Sequence, residues 1–173
     1  MPEIILLSSA HIASRNSVLI ENGGDGTTEI GCFSFLIKIN GEWILLDTGI
    51  EDLAVANTTK SSAADWERNA EEFDLLSDLK RHGVKPEDVK KVFLTHSHYD
   101  HLSGITYFPH AKIYMSKAEY DFLLSDNPHQ AVLKEQIAFL KKCDLHLFDR
   151  DGIVSSGVYA TLVAGHTPGS VMY

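Results

Sequence analysis

The sequence predicts an α/β fold in layers, read as one domain over residues 1–173. Three observations predict it. Short β-type runs alternate with helical spacing along the chain, the pattern of sheet-and-helix layers. A chain of 173 residues can bury roughly 70% of its unfolded surface in one core, so it needs no disulfide staple. A composition of 44% hydrophobic and 23% charged residues excludes disorder, collagen and coiled coil.

Taken in order, Glu3–Leu7 and Ser17–Ile20 read as short β-type runs, and Gly23–Gly26 as a turn. Cys32–Ile39 and Glu42–Leu46 are strands joined by Asn40-Gly41, a strong short hairpin signal. The second of them ends in Asp47-Thr48-Gly49. Residues 51–65 are polar and irregular and read as a loop. Trp66–His82 carries Phe73, Leu76 and Leu79 at helical spacing, and Gly83 stands where a helix-ending glycine belongs. Pro86-Glu87-Asp88 is a second helical start, and Lys91–Thr95 a short buried-type strand. Ala111–Met115 is another strand. Ser116 and Glu119 form a capping-box pair opening a helix to about Leu124. Gln130–Lys142 is a further helix, with Val132, Ile137, Phe139 and Leu140 as its buried positions. Leu145–Phe148 and Val158–Val163 are strands, Gly165–Ser170 a loop, and Val171–Tyr173 the first residues of one more strand.

Charge and cysteine content narrow the function classes. Lys+Arg 15 against Asp+Glu 24 gives −9, which disfavours nucleic-acid backbones and anionic membranes as partners. No stretch approaches the ~20 apolar residues of a membrane span. Ile4–Leu7 is too short for a signal-peptide core and has no basic segment before it. Cys32 and Cys143 form neither a disulfide framework nor a CxxC pair, so a reducing, cytoplasmic setting is expected.

The nine histidines are the chemical signal. Thr95-His96-Ser97-His98-Tyr99-Asp100-His101 supplies three imidazoles and a carboxylate directly after an apolar strand. In extended backbone His96 and His98 share one side, while Asp100 and His101 can face a second point nearby. Imidazole and carboxylate together suit zinc, and also iron or manganese. Gly165-His166-Thr167-Pro168-Gly169-Ser170 returns a distant His, as a three-histidine site requires. The remaining residues, His11, His82, His110, His129 and His146, have no motif context.

HSHYDH with GHTPGS, and the strand ending in Asp47-Thr48-Gly49, resembles the metallo-β-lactamase superfamily. The resemblance runs from the DTG strand to Tyr173 and implies an αββα sandwich with metals at one edge. It implies that His96, His98 and His166 bind one metal, that Asp100 and His101 bind a second, and that Asp47 orients a ligand His. Two zinc ions are expected for a complete site. The alternative for Asp47 is a turn residue before Gly49. The family's bridging Asp and last His would lie beyond Tyr173, so the chain resembles the N-terminal two thirds of a member, a C-terminally incomplete fold. A homodimer, or a C-terminal half supplied otherwise, is the expected partner.

The layout is similar to that of N-acyl-homoserine lactonases: a DTG strand, a long irregular stretch, a helix and a Gly83-Val84-Lys85-Pro86-Glu87-Asp88 turn before the His cluster. Glyoxalase II-type thioesterases share the His motif. In the lactonases His commonly follows the GHxPG turn, where this chain has Ser170. The reaction implied is hydrolysis of a lactone, ester or thioester, with metal-bound hydroxide attacking the carbonyl of a small acyl substrate and Asp100 passing a proton to the leaving group. Tyr99 either faces the substrate pocket or packs beside the loop, and residues 51–65 either wall that pocket or are plain surface. Two other readings stand beside this one: a mononuclear iron enzyme like the persulfide dioxygenases, and a non-catalytic metal-binding fragment.

Overall fold

The computed structural model describes residues 2–59, 65–125 and 134–173. Strands β1 (Glu3–Arg15), β2 (Thr27–Ile39), β3 (Glu42–Leu46), β4 (Val89–Phe93), β5 (Lys112–Ser116) and β6 (Asp144–Phe148) form one sheet in that order. β1, β2 and β3 pair antiparallel, and β3 to β6 run parallel. A second sheet holds β7 (Gly152–Ser155), β8 (Val158–Leu162) and β9 (Val171–Met172), antiparallel throughout. The helices are α1 (Asn16–Leu19), α2 (Leu53–Thr59), α3 (Leu75–Arg81), α4 (Tyr99–Leu102), α5 (Lys117–Leu123) and α6 (Lys134–Leu140). Short 3-10 turns cover Pro86–Asp88 and Ser103–Tyr107.

Period-two alternation in the central strands explains the layers. Leu45, Val92, Leu94, Ile113 and Met115 point to the helical side, where they pack with Leu75, Leu79, Leu102, Ile105 and Leu123. Ile44, Phe93 and Tyr114, one residue out of step, point to the other face and meet Val154 and Val158 of the second sheet and Tyr173 just after β9. A parallel sheet covered on both faces needs such near-continuous apolar runs. Each fully buried Leu or Ile contributes about 1.5–3 kcal/mol by leaving water. The result is helices, sheet, sheet: the expected layering of the sandwich.

Several expectations hold in detail. Asn40 (φ 52°) and Gly41 (φ 82°) are both left-handed, as a two-residue type I′ hairpin demands. Gly83 (φ 69°) ends α3, with the Val84 N–H returning to the Leu79 carbonyl at 3.0 Å. Other expectations are corrected. Glu3–Leu7 is the start of a strand that runs on to Arg15. Ser17–Ile20 is mostly the helical turn α1, because the chain must reverse at the tip of the long β1–β2 hairpin; the Asn16 N–H closes that tip on the Gly26 carbonyl at 2.8 Å. The helix placed at Trp66–His82 begins only at Leu75, where Asp74 caps it by accepting the Ser77 N–H at 3.0 Å. Before that cap, His11 and Glu67 exchange backbone hydrogen bonds, which holds the chain extended beside β1. Within 51–65, the loop expectation fails at α2, whose first N–H groups are taken by the Asp52 carboxylate. β7 had no apolar run to announce it: Gly152–Ser155 is short and only partly buried. In the helix expected at Gln130–Lys142, Leu140 is buried and Ile137 and Phe139 pack against the core, whereas Val132 lies outside the described residues, as does His129 before it.

Candidate metal centre

The motif residues gather at the C-terminal ends of β3, β4 and β5, where parallel strands deliver the chain into loops. Asp47 leaves β3, Thr95 and His96 follow β4, and Ser116 ends β5. The Gly165–Ser170 loop enters from the second sheet. It is tied down where the Val171 N–H donates to the Thr95 carbonyl at 2.8 Å.

His96, His98 and His166 converge. One ring nitrogen from each lies within 4.8 Å of the other two. His96 is buried, His98 half-buried and His166 exposed, so the group opens to solvent on the His166 side. His98 Nδ1 and His166 Nε2 face each other at 2.9 Å. The His96 ring packs edge-on to both of the others and tilts over His101 at 4.1 Å between centroids.

Hydrogen bonds from Asp47 determine which His96 nitrogen is free. Asp47 adopts a left-handed φ of 58°, tolerable for Asp, and so turns its carboxylate inward. Its Oδ1 accepts the Thr95 N–H at 2.7 Å, and its Oδ2 accepts the Thr95 hydroxyl at 2.7 Å and His101 Nδ1–H at 2.8 Å. The Thr95 hydroxyl has one proton, and the carboxylate holds it. His96 Nδ1, 3.0 Å from Thr95 Oγ1, is therefore the donor of that pair. This leaves the Nε2 lone pair, and His96 Nε2 is buried without a hydrogen-bond partner. Burial and the neighbouring His101 and His98 rings push the His96 imidazole down to about 2, which keeps it neutral. A buried neutral imidazole with an unspent lone pair, aimed at two further imidazole nitrogens, fits a borderline metal ion such as zinc.

Asp100 and His101 stand beside this group. His101 Nε2 is 3.4 Å from Asp100 Oδ2. Burial opposes charge on His101, but the Asp47 and Asp100 carboxylates outweigh it and raise the ring to about 10. Burial likewise works against ionised Asp100, yet the hydrogen bond and charge of His101 hold its carboxyl at about 2. Tyr99 is buried against Ala10, Cys32, Ile50 and Ala56 and also lines a cleft of about 580 Å³ with Glu51, Arg68, Tyr107 and Gln136. The packing alternative for Tyr99 holds, and the cleft that it also lines lies apart from the three histidines. Glu51, Asp52, Leu53 and Val55 wall that cleft, whose lining does not include His96, His98 or His166. Ser170, which stands where lactonases commonly have His, turns inward and bonds Thr167 Oγ1 at 2.7 Å.

One residue of the site escaped the sequence reading. The Glu119 side chain does not return to the start of α5 as a capping box requires. It reaches Ser97 and Thr167 instead, each next to a candidate ligand. Ser116 does cap α5, accepting the Glu119 N–H at 3.0 Å. Periodicity could have flagged Glu119 only as a charge on the inward face of its helix.

Residues 27–173 match the model of the metallo-beta-lactamase superfamily. An N-acyl homoserine lactonase of Bacillus cereus is 31% identical over 140 residues, 78% of this chain and 54% of that protein. A second N-acyl homoserine lactonase, from a Bacillus species, is 30% identical over 146 residues, 82% of this chain and 56% of that protein. The chain thus spans a little over half the length of the curated relatives it matches. Among solved structures, B. thuringiensis AiiA with N-decanoyl-L-homoserine bound superposes with a TM-score of 0.81 at 22% identity, covering 97% of this chain and 68% of that one. Layered sheets, a three-histidine convergence at the strand ends and a family match over most of the sequence agree: the chain belongs to the metallo-beta-lactamase superfamily.

Proposed function

We propose that the chain is the metal-binding part of a metal-dependent hydrolase that opens lactones or related esters, with zinc as the metal. The observation that carries this reading is the triad itself: one ring nitrogen each from His96, His98 and His166, with His96 Nε2 left as a bare lone pair by the Asp47–Thr95 relay. Those three atoms would hold one ion, and Asp100 and His101 would hold or flank a second. A bound ion would supply Lewis-acid polarisation of the acyl carbonyl and water acidic enough to react near neutral pH.

The protein's own groups divide the remaining tasks. Asp47 keeps the His101 ring and the His96 tautomer fixed. Asp100, beside His101, would accept the proton of the attacking water and pass it to the leaving alkoxide. The cleft walled by Glu51 and Tyr99 is polar and would suit a polar part of a substrate away from its reacting carbonyl. Lactones are favoured over thioesters because the two N-acyl homoserine lactonases align over most of the chain. A cytoplasmic location agrees with the two free cysteines; among the described residues no helix is long and apolar enough to cross a membrane.

The test is metal content by elemental analysis, followed by pH-stat assay of the zinc-loaded protein on N-acyl homoserine lactones, simple esters and thioesters. Turnover of the lactones that is lost in His98→Ala supports the reading. Stoichiometric iron without hydrolysis would overturn it in favour of dioxygenase chemistry.

A further inference from the structure

Two loops meet at one buried carboxylate. Glu119 is fully buried, on the first turn of α5. Its Oε1 accepts the Ser97 N–H at 2.7 Å and the Ser97 hydroxyl at 2.6 Å. Its Oε2 accepts the Thr167 hydroxyl at 2.6 Å and the Gly169 N–H at 3.2 Å. Ser97 lies between His96 and His98, and Thr167 directly follows His166. Each oxygen therefore grips one of the two loops that bring imidazoles to the triad.

Extended backbone turns neighbouring side chains to opposite faces, so a residue between two histidines is the one able to anchor the loop from behind. The second loop is locked the same way. Ser170 Oγ accepts the Thr167 N–H at 3.1 Å, and the Thr167 hydroxyl, spent on Glu119, leaves Ser170 as donor in their mutual bond. Ser116 closes the third side by donating its hydroxyl to the Gly169 carbonyl at 2.6 Å. Among the described residues the four donors to Glu119 are neutral, and a buried carboxylate held by neutral donors is tolerable only while such a set stays complete.

We propose that Glu119 is a positioning residue of the metal centre: it holds the His96–His98 loop in register with the His166 loop, and so sets the affinity of the three-histidine site. This role rests on the metal-centre reading above. Glu119 touches none of the three imidazoles in its hydrogen bonds; it acts through Ser97 and Thr167.

The test is cobalt(II) titration of the protein, read by visible absorption against a competing chelator, with thermal unfolding of the metal-free protein measured in parallel. Glu119→Gln keeps the volume but replaces one acceptor oxygen by an NH2 group. Whichever way the amide sits, that group meets a backbone N–H and a hydroxyl that were donating. Cobalt affinity is expected to fall at least ~10-fold, with shifted absorption bands. Thr167→Val, which deletes one donor, should weaken binding in the same direction, and Thr167→Ser, which keeps the hydroxyl, should restore it. A Glu119→Gln protein that unfolds at lower temperature yet binds cobalt with wild-type affinity and spectrum would overturn the proposal. Should Glu119→Gln fail to fold, equal affinity in Thr167→Val and Thr167→Ser would overturn it. A wild-type protein that binds no cobalt would remove the metal-centre reading itself, and this role with it.

Discussion

His101 Nδ1 donates to Asp47 Oδ2 at 2.8 Å across 54 residues of sequence, and the same oxygen accepts the Thr95 hydroxyl. One carboxylate therefore orients one imidazole directly and a second, His96, through Thr95. Replacing Asp47 by Asn exposes the second effect. An amide NH2 at the Oδ2 position would donate to Thr95 Oγ1 and free the Thr95 proton for His96 Nδ1. His96 would then carry its proton on Nε2, which blocks the lone pair a metal needs. Asp47→Asn should fold and lose about 10–100-fold in metal affinity. Zinc titration against a chelator measures the loss, and nitrogen-15 NMR of the histidine rings reads the tautomer.

His98→Ala should abolish stoichiometric metal binding. It removes one of three converging nitrogens and leaves two donors, too few for a stable zinc site. Metal that binds only the native state raises stability by mass action, so wild-type protein should gain several degrees in Tm when zinc is added. The variant should gain none. Differential scanning fluorimetry with and without zinc distinguishes the two.

Gly169 and Gly165 bracket the same loop and should respond in opposite ways to Ala. A Cβ at Gly169 would land inside the Glu119 backbone and 2.6 Å from Ser116 Oγ. That neighbour is helix main chain and cannot step aside. At Gly165 the nearest atom, the Val163 carbonyl oxygen, is 4.0 Å away. Gly169→Ala should cost about 1–3 kcal/mol, in the range of overpacking a close-packed site, and weaken metal binding as the loop lifts. Gly165→Ala should be near neutral in both. Urea unfolding with the cobalt titration checks the pair.

The sequence made the candidate ligands legible because metal chemistry demands particular side chains at short spacing: His96, His98 and His166 converge, with Asp100 and His101 beside them. The central strands were legible for a similar reason: Ile113, Tyr114 and Met115 are apolar on both faces. What could not be read were features decided by distant partners. Ser17–Ile20 has β-type residues but sits at a hairpin tip, where chain reversal overrides propensity. Trp66–Phe73 has helical spacing, but the His11–Glu67 backbone pair draws its start out alongside β1. Glu119 has the spacing of a local cap, yet Ser97, Thr167 and Gly169, far away in sequence, offer its carboxylate four better-placed donors. Local rules cannot see such long-range competition.

His11 and Glu72 supply a pH dependence away from the metal centre. His11 Nδ1 lies 2.7 Å from Glu72 Oε2, and that hydrogen bond, opposed by burial and aided by the charge of Glu72, raises the imidazole above its ordinary 6.5. The folded protein thus holds the His11 proton more tightly than the unfolded chain does. A raised histidine contributes stability that is full below about 6.5, the unfolded value, and is lost as pH rises through the higher folded value. The pair links the middle of β1 to the segment leading into α3, so its loss should loosen that attachment. Wild-type Tm should therefore exceed that of Glu72→Gln by most at pH 5.5–6, and the gap should narrow steadily toward pH 8–9. His11→Asn should show the same convergence. A gap that is constant across this range would mean that the histidine proton is not shared with Glu72, and that packing alone accounts for the contact.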